Sequence, residues 1–420
     1  MKARLALLLI AILSLTFSFS LSAATLTAEE QARVDYLRSA LEALRDGTEV
    51  PTDSLSGPGS YKCGTPLVLE AWHYHQKYGS ALGLDDMFAR PSDETFPETF
   101  DSPGGHFKIH YTTDPTNIHV VNTDYGDQNR NGVTDYVEMV ARIADSVWQK
   151  QIVAMGFHAP VDDGEFEWGG DSRYDIYLEH LDPKYYGLTY PDGVAVGNGQ
   201  QATSYLVLRN HYEVLPEYSD RPLEALEVTA AHEFFHAIQF WYDAYEDNDD
   251  TVEHQPNPFW LEMSAVWMEE QCYDKVNDYY YYLPGYTPYV HRSLRFFEAS
   301  SAYPYGAAIF PIYLSETFGQ GIVKTIWENC ATIKGMNFLY GALQDAIDQY
   351  SNGTRAFEDV FAEYSRWLFF TGGRKPYFFE EAANYPKIPD TDTIGTEVSR
   401  PYIRYYSDFP TAVDRDYGFF

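Results

Sequence analysis

The stretch Ala230-Ala231-His232-Glu233-Phe234-Phe235-His236-Ala237 carries the most specific chemistry in the chain. Two histidines four apart stack on one face of a helix, so both imidazoles can reach a single ion. A glutamate directly after the first histidine can take a proton from a water held at that ion. H-E-x-x-H is therefore read as a hydrolytic zinc site, with His232 and His236 as ligands and Glu233 as general base. Residues 223–242 contain neither proline nor glycine, which keeps the motif inside a helix. The competing reading is two core histidines on a buried face.

A catalytic zinc takes three protein ligands and keeps one position open. The third is expected from Phe259-Trp260-Leu261-Glu262-Met263-Ser264-Ala265-Val266-Trp267-Met268-Glu269-Glu270, a second helix-compatible segment. Glu262 stands 26 residues after His236, with room for an acidic loop and a returning helix, and is assigned as the ligand. Glu269 lies seven residues on, on nearly the same face, and is placed to orient a histidine. A solvated acid at a helix end is its alternative. The reaction expected is hydrolysis of a peptide bond, Glu233 passing a proton from water to the leaving amine.

A second cation site is expected at residues 127–138. Asp127, Asn129, Asn131, Asp135 and Glu138 occupy loop positions 1, 3, 5, 9 and 12, Gly132 sits at 6, and the Val133 carbonyl falls at 7. That is the oxygen pattern of an EF-hand calcium loop. The residues before it read as strand or loop, so it is a strand–loop–helix variant suited to stabilising a fold. Its alternative is an Asn/Gly turn capping a helix.

These residues need elements to hold them. Residues 27–46 have apolar spacing for a helix, opened by a Thr-Ala-Glu-Glu cap. Residues 47–59 read as a linker and 67–78 as a short helix. Residues 105–111 alternate like a strand, 175–178 and 204–208 also read as strands, and an amphipathic helix is expected at 136–151. From Pro222 to about Phe370 the pattern is helical. The fold class expected is α+β: a small mixed sheet and a helical lower half. Four regions are expected: a signal peptide at 1–24, a prosegment-like or accessory region at 25–103, the catalytic domain at 104–385, and a β-like segment at 386–420 that reads as the start of a further element, the chain being a piece of something longer.

Lys2 and Arg4, then an apolar run to Phe19 and Ser22-Ala23-Ala24, read as a secretory signal peptide cut after Ala24. The expected product is secreted or periplasmic and without stable membrane insertion. The formal charge is −33, from 62 acidic against 29 basic residues. Such a surface repels phosphate backbones, which excludes nucleic acid as a partner and leaves a protein or peptide substrate. Three cysteines in an oxidising compartment leave one over. Cys272 and Cys330 both fall in expected helices and are the pairing expected, with Cys63 free. Aromatic residues make up 17% of the chain; the run Tyr279–Tyr282 reads either as tyrosine-rich loop or as a glycan- or peptide-binding platform.

HEFFH followed by WLEMSAVWMEE resembles the gluzincin branch of the zincin metallopeptidases, and most of all a group of exported bacterial proteases with HE-aromatic-x-H-A-I-Q and E-x-x-A-x-W-x-E helices. The likeness covers residues 104–375. It departs from better-known gluzincins at position 266, a valine where an acid stands four residues after the ligand, and position 242 is tyrosine, so no third histidine follows in the metzincin pattern. Tyr303-Pro304-Tyr305-Gly306 is similar to the Tyr-x-x-Gly segment by which some gluzincin aminopeptidases hold the oxyanion. The resemblance implies that role for Tyr303, with Tyr305 as rival. Lys62-Cys63-Gly64-Thr65-Pro66 resembles the Arg-Cys-Gly-x-Pro cysteine switch of matrix metalloproteases, in which a thiolate fills the open zinc position. Cys63 is thus a candidate inhibitor, its alternatives a disulfide or a plain buried thiol. Two rival functions stand beside peptidase: a catalytically inactive, calcium-stabilised adhesion or glycan-binding protein on the same scaffold, and zinc hydrolysis of a non-peptide bond.

Overall fold

A computed structural model of the chain describes residues 26–51, 62–163, 168–192, 201–244, 258–297, 301–333 and 338–388. The expected signal peptide, most of the 47–59 linker, the acidic loop before Phe259 and nearly all of the C-terminal β-like segment lie outside the described residues.

The fold is α+β, as expected. Helix α1 (Ala28–Arg45) is closed at its start by a capping box: the Thr27 hydroxyl accepts from Glu30 N at 3.2 Å and the Glu30 carboxylate accepts from Thr27 N at 2.8 Å. Helix α2 (Thr65–Tyr78) starts two residues earlier than the periodicity suggests, because Pro66 is pre-organised for a first turn. Strands β1 (Glu98–Asp101), β2 (Phe107–Tyr111), β3 (Tyr174–Glu179), β4 (Gly187–Pro191) and β5 (Ser204–Arg209) form one sheet in the order β1-β2-β3-β5-β4. The centre is parallel, pairing Ile109 with Ile176 and Tyr177 with Val207. Both edges are antiparallel, β1 on β2 and β4 on β5. Helix α3 (Asp135–Trp148) connects β2 to β3 and runs on as a π-helical stretch, Gln149–Ala154, past the expected end. There the buried Gln151 amide donates to the Ala231 carbonyl at 2.8 Å.

Helices α4 (Pro222–Asp243) and α5 (Phe259–Tyr273) pack along each other beneath the sheet. They are followed by the one-turn helices α6 (Leu283–Tyr286) and α7 (Tyr303–Gly306), then α8 (Ile309–Phe318), α9 (Gly321–Cys330), α10 (Phe338–Ser351) and α11 (Phe357–Phe369). The Trp267 indole donates to Ser315 Oγ at 3.0 Å and ties α5 to α8.

The sheet is buried on both faces, and the alternation of its strands separates two cores. Ile109, Ile176, Leu178, Leu206 and Leu208 face α3 and α4. Tyr177, Leu188, Tyr190, Tyr205 and Val207 face the other way, onto α1, α2, Phe88 and Phe96. The boundary expected at residues 103/104 therefore does not divide two cores: β1 lies upstream of it within the sheet, and residues 28–96 supply more than half of the second core. Strands β1 and β4 are too short, and β4 too rich in small and polar residues, to stand out by alternation.

Cys63, Cys272 and Cys330 form no disulfide, which corrects the expected Cys272–Cys330 pairing. Cys272 lies on α5 beside Gln151, and Cys330 ends α9 in the main core. The tyrosine run folds inward: Tyr279 and Tyr282 are buried, the Tyr279 hydroxyl lies 2.8 Å from that of Tyr385, and Tyr281 alone of the run is as much as 48% exposed. Among the described residues, no helix is long and apolar enough to cross a membrane.

Trp72, 1% exposed on α2, tests the shared core. Trp72→Ala is expected to lower stability by about 3–5 kcal/mol in urea denaturation. The loss should register equally in probes of α2 and α4. Unfolding of α1 and α2 alone, with α3, α4 and α5 unmoved, would show an independent accessory region.

Candidate metal centre

Helix α4 is buried on nearly every side, so its polar residues must find partners inside the protein. His232 and His236 are fully buried and Glu233 is 1% exposed. Glu262, also fully buried, enters from the first turn of α5. Its carboxylate oxygens lie 3.4 Å from His232 Nε2 and 3.3 Å from His236 Nε2. Cys63 Sγ lies 3.3 Å from His236 Nε2. One ligand atom from each of Cys63, His232, His236 and Glu262 lies within 4.8 Å of the other three. A tetrahedral ion with bonds of about 2.0–2.3 Å separates its ligands by roughly 3.3–3.8 Å, and the contacts of 3.3–3.4 Å lie at the short end of that spacing. His232 Nε2 and both Glu262 oxygens are buried without hydrogen-bond partners, so the close contacts between them are electrostatic. Three orphaned polar atoms facing one point fit a divalent cation, and the nitrogen, oxygen and sulfur donors suit zinc.

The ring nitrogens pointing away from that centre are anchored. His236 Nδ1 lies 2.7 Å from Gln239 Oε1, and the Gln239 amide nitrogen donates to the Leu261 carbonyl at 3.0 Å and to Ser264 Oγ at 3.1 Å. His232 Nδ1 lies 2.6 Å from Glu269 Oε1. In both rings Nδ1–H donates, which leaves the Nε2 lone pair free for the centre. Glu269 and Asp278 share the buried ammonium of Lys62, and Asp278 also accepts from the Tyr218 hydroxyl. Burial works against charge on Lys62 and His232, yet their carboxylate neighbours win. Asp278 and Glu269 raise Lys62, and with no cation at the centre Glu262 and Glu269 raise His232 to about 10, so a cation there would displace a proton from Nε2. Burial likewise opposes ionisation of Glu262, but the two imidazoles hold it down to about 2. The Cys63 thiol is pushed well above its usual range by burial, then by Glu233 and Glu262, so a thiolate there calls for a cation between them.

Glu233 points toward β4. Thr65 Oγ1 accepts from Thr189 N at 2.8 Å, so its own proton goes to Glu233 Oε2, 2.9 Å away. The Thr189 hydroxyl lies between the Glu233 carbonyl, at 2.8 Å, and Oε2, at 2.9 Å. Glu233 keeps this position because β4 carries a glycine opposite it. A Cβ on Gly187 would sit 2.8 Å from Thr229 Cγ2, 2.9 Å from Glu233 Cγ and 3.1 Å from the Val207 carbonyl.

The two tyrosines of the 303–306 segment separate. The Tyr303 hydroxyl donates to the carbonyls of Arg292 and Ser293, at 3.2 and 3.1 Å, away from the histidines. The Tyr305 hydroxyl receives Cys63 N–H at 3.4 Å, and its ring centroid is 6.4 Å from that of His232. Tyr305, and not Tyr303, is the tyrosine at the centre.

In the 127–138 loop the Asn129 and Asn131 amides both donate to Glu138 Oε1, at 2.8 and 2.6 Å. Asp127 accepts from Asn131 N and Gly132 N, Asp135 accepts from Gln128 N, and Val133 N–H donates to Asn131 Oδ1. Gly132 has φ +88°, the left-handed turn that position 6 requires. Hydrogen bonds from Asn129, then Asn131 and Arg142, outweigh burial and hold the Glu138 carboxyl below its ordinary value. The side chains at positions 3, 5 and 12 thus converge.

Sequence reasoning missed Lys62, Thr65, Thr189 and Asp278, whose roles depend on chain separations that no spacing rule covers. Gln239 was legible in principle, three residues after His236 on the same helix. Residues 219–336 match a family model described as "Family of unknown function (DUF6055)", a span that holds His232, Glu233, His236, Glu262, Glu269 and Tyr305 but not Cys63. No curated protein matches the chain.

Gly187→Ala is expected to destabilise the protein by about 1–3 kcal/mol, because the Val207 carbonyl cannot yield as a side chain would. Urea denaturation measures it; a neutral result would mean that β4 and α4 are packed less closely than the distances above.

Proposed function

We propose that the chain is an exported zinc metallopeptidase built on a zincin-like α+β scaffold. One observation carries the reading: Glu233 lies beside a buried His232–His236–Glu262 cluster in which His232 Nε2 and both Glu262 oxygens lack hydrogen-bond partners. A histidine pair alone explains neither the orphaned carboxylate nor a buried base next to it. When bound, zinc supplies a Lewis acid for the scissile carbonyl and makes water acidic. His232, His236 and Glu262 would hold it, with Gln239 and Glu269 fixing the rings. Glu233 accepts the proton of the attacking water and returns it to the leaving amine. The Tyr305 hydroxyl donates to the developing oxyanion, the role first considered for Tyr303. The leader-like pattern of residues 1–24 supports export, and the −33 charge supports a protein or peptide substrate over nucleic acid.

A second reading, a catalytically silent scaffold for adhesion or glycan binding, is favoured by the fourth donor, because closed four-ligand sites are structural. The two are separated in a chain whose fourth donor is removed. Zinc-loaded Cys63→Ser is expected to cleave denatured protein in a chelator-sensitive manner. Adding Glu233→Gln is expected to lower that rate by about 10²–10⁴-fold. Equal rates with and without Glu233 would overturn the peptidase reading.

The 127–138 loop is proposed to bind calcium as a stabiliser of the β2–α3 connection. Calcium at about 100 times its Kd is expected to add about 2.7 kcal/mol of stability, seen as a rise in melting temperature that Glu138→Gln removes. No calcium-dependent rise in the wild-type chain would leave the loop a capping turn.

A further inference from the structure

Residues 62–65 touch four parts of the centre at once. Tyr186 N donates to the Lys62 carbonyl at 2.7 Å and Gly64 N to the Gly187 carbonyl at 3.1 Å, so the segment adds a short parallel strand to the β4 edge. Cys63 Sγ sits among the three other donors. Thr65 N–H, at the start of α2, donates to Sγ at 3.3 Å, and a helix N-terminus favours a thiolate. The Thr65 hydroxyl donates to Glu233 Oε2, one of the two oxygens of the carboxylate that receives a proton in the peptidase reading. Gly64 has no room for a side chain: a Cβ there would sit 2.1 Å from Leu188 Cδ2.

We propose that the Lys62–Thr65 segment holds the enzyme latent from within its own fold, Cys63 thiolate filling the fourth position of the metal and Thr65 capping the base. The proposal rests on the peptidase reading and adds regulation to it. A single buried thiol would not carry it. The orphaned His232 and Glu262 atoms mark the point that Sγ faces, and the contact between Thr65 and Glu233 blocks a second atom by a separate route. Binding of the metal releases the Cys63 proton to solvent. Turnover then requires Cys63 to leave the position that a substrate carbonyl and a water need.

Cobalt(II) titration of the full chain reads the ligand directly. The wild type is expected to show an intense near-ultraviolet thiolate-to-cobalt band that Cys63→Ser and Cys63→Ala lack, both variants giving the wild-type circular dichroism spectrum. Identical cobalt spectra in all three would overturn the proposal. Zinc-loaded Cys63→Ser is expected to cleave denatured protein at least about tenfold faster than wild type, whose rate is scaled by the fraction of chains with the segment displaced. Glu233-dependent cleavage at equal rates in both would overturn latency while leaving the peptidase reading intact. A lost cobalt band with no cleavage by either chain would overturn the peptidase reading itself and latency with it, leaving Cys63 as the fourth ligand of a structural site.

Discussion

The structure depends on a concentration of negative charge in a place without water. Glu233, Glu262, Glu269 and Asp278 are all buried within a few residues of one another in space, and Lys62 is the ammonium among them. Leaving a buried carboxylate uncompensated costs several kcal/mol. The surrounding fold is arranged around that cost: Lys62 spans Glu269 and Asp278, hydroxyls from Thr65 and Thr189 serve Glu233, and Glu262 alone is left facing two imidazoles. A dication at that point would complete the compensation. Gln239, Ser264 and Trp327 form a buried chain of hydrogen bonds behind His236 that fixes the ring through Nδ1, the arrangement that the proposed ion at Nε2 would require.

What could be read from the sequence follows the range of the interaction concerned. His232, Glu233 and His236 are set by helix periodicity, so four residues of spacing place them together. Glu262 and Glu269 needed one further step, that a second helix returns along the first, and both reach the cluster. Val266 stands where an acid was looked for, and Glu269, one turn later, makes the contact to His232 instead. Tyr303 and Tyr305 show where local reading stops. They are two apart on a one-turn helix, and only packing against Phe296 and Tyr286 on one side and Cys63 on the other decides which hydroxyl meets the site.

The core that the N-terminal region shares with the sheet was hidden from the sequence by a physical cause of the same kind. A strand buried on both faces shows little polar alternation, so β3 and β5 read simply as strands and gave no hint that a second layer was required. Tyr177, Tyr205 and Val207 need cover as much as Ile176 and Leu206 do, and α1 and α2 supply it. Helix α2 thus belongs to the scaffold, and Cys63 enters the site from a fixed support two residues upstream of it.

That support limits how latency can be relieved. Leu67, Val68, Leu69 and Trp72 anchor α2, and full burial of such side chains contributes about 1.5–3 kcal/mol each. The two backbone hydrogen bonds of the added strand contribute about 0.5–1.5 kcal/mol each. Lys62 is the stronger hold, because withdrawing the ammonium leaves Glu269 and Asp278 buried without the cation they share, a loss on the order of 3–5 kcal/mol. Withdrawal would also free the carboxylate that orients His232. A chain that gave up the whole segment would therefore weaken the metal site it was meant to open. The change that exposes the centre while preserving it is confined to a pivot of Cys63 and Gly64 and a rotation of the Thr65 side chain off Glu233, between a fixed Lys62 and the fixed backbone of the first turn of α2. Gly64 makes such a pivot feasible: without a side chain it both fits against Leu188 in the closed state and has the backbone freedom to leave it.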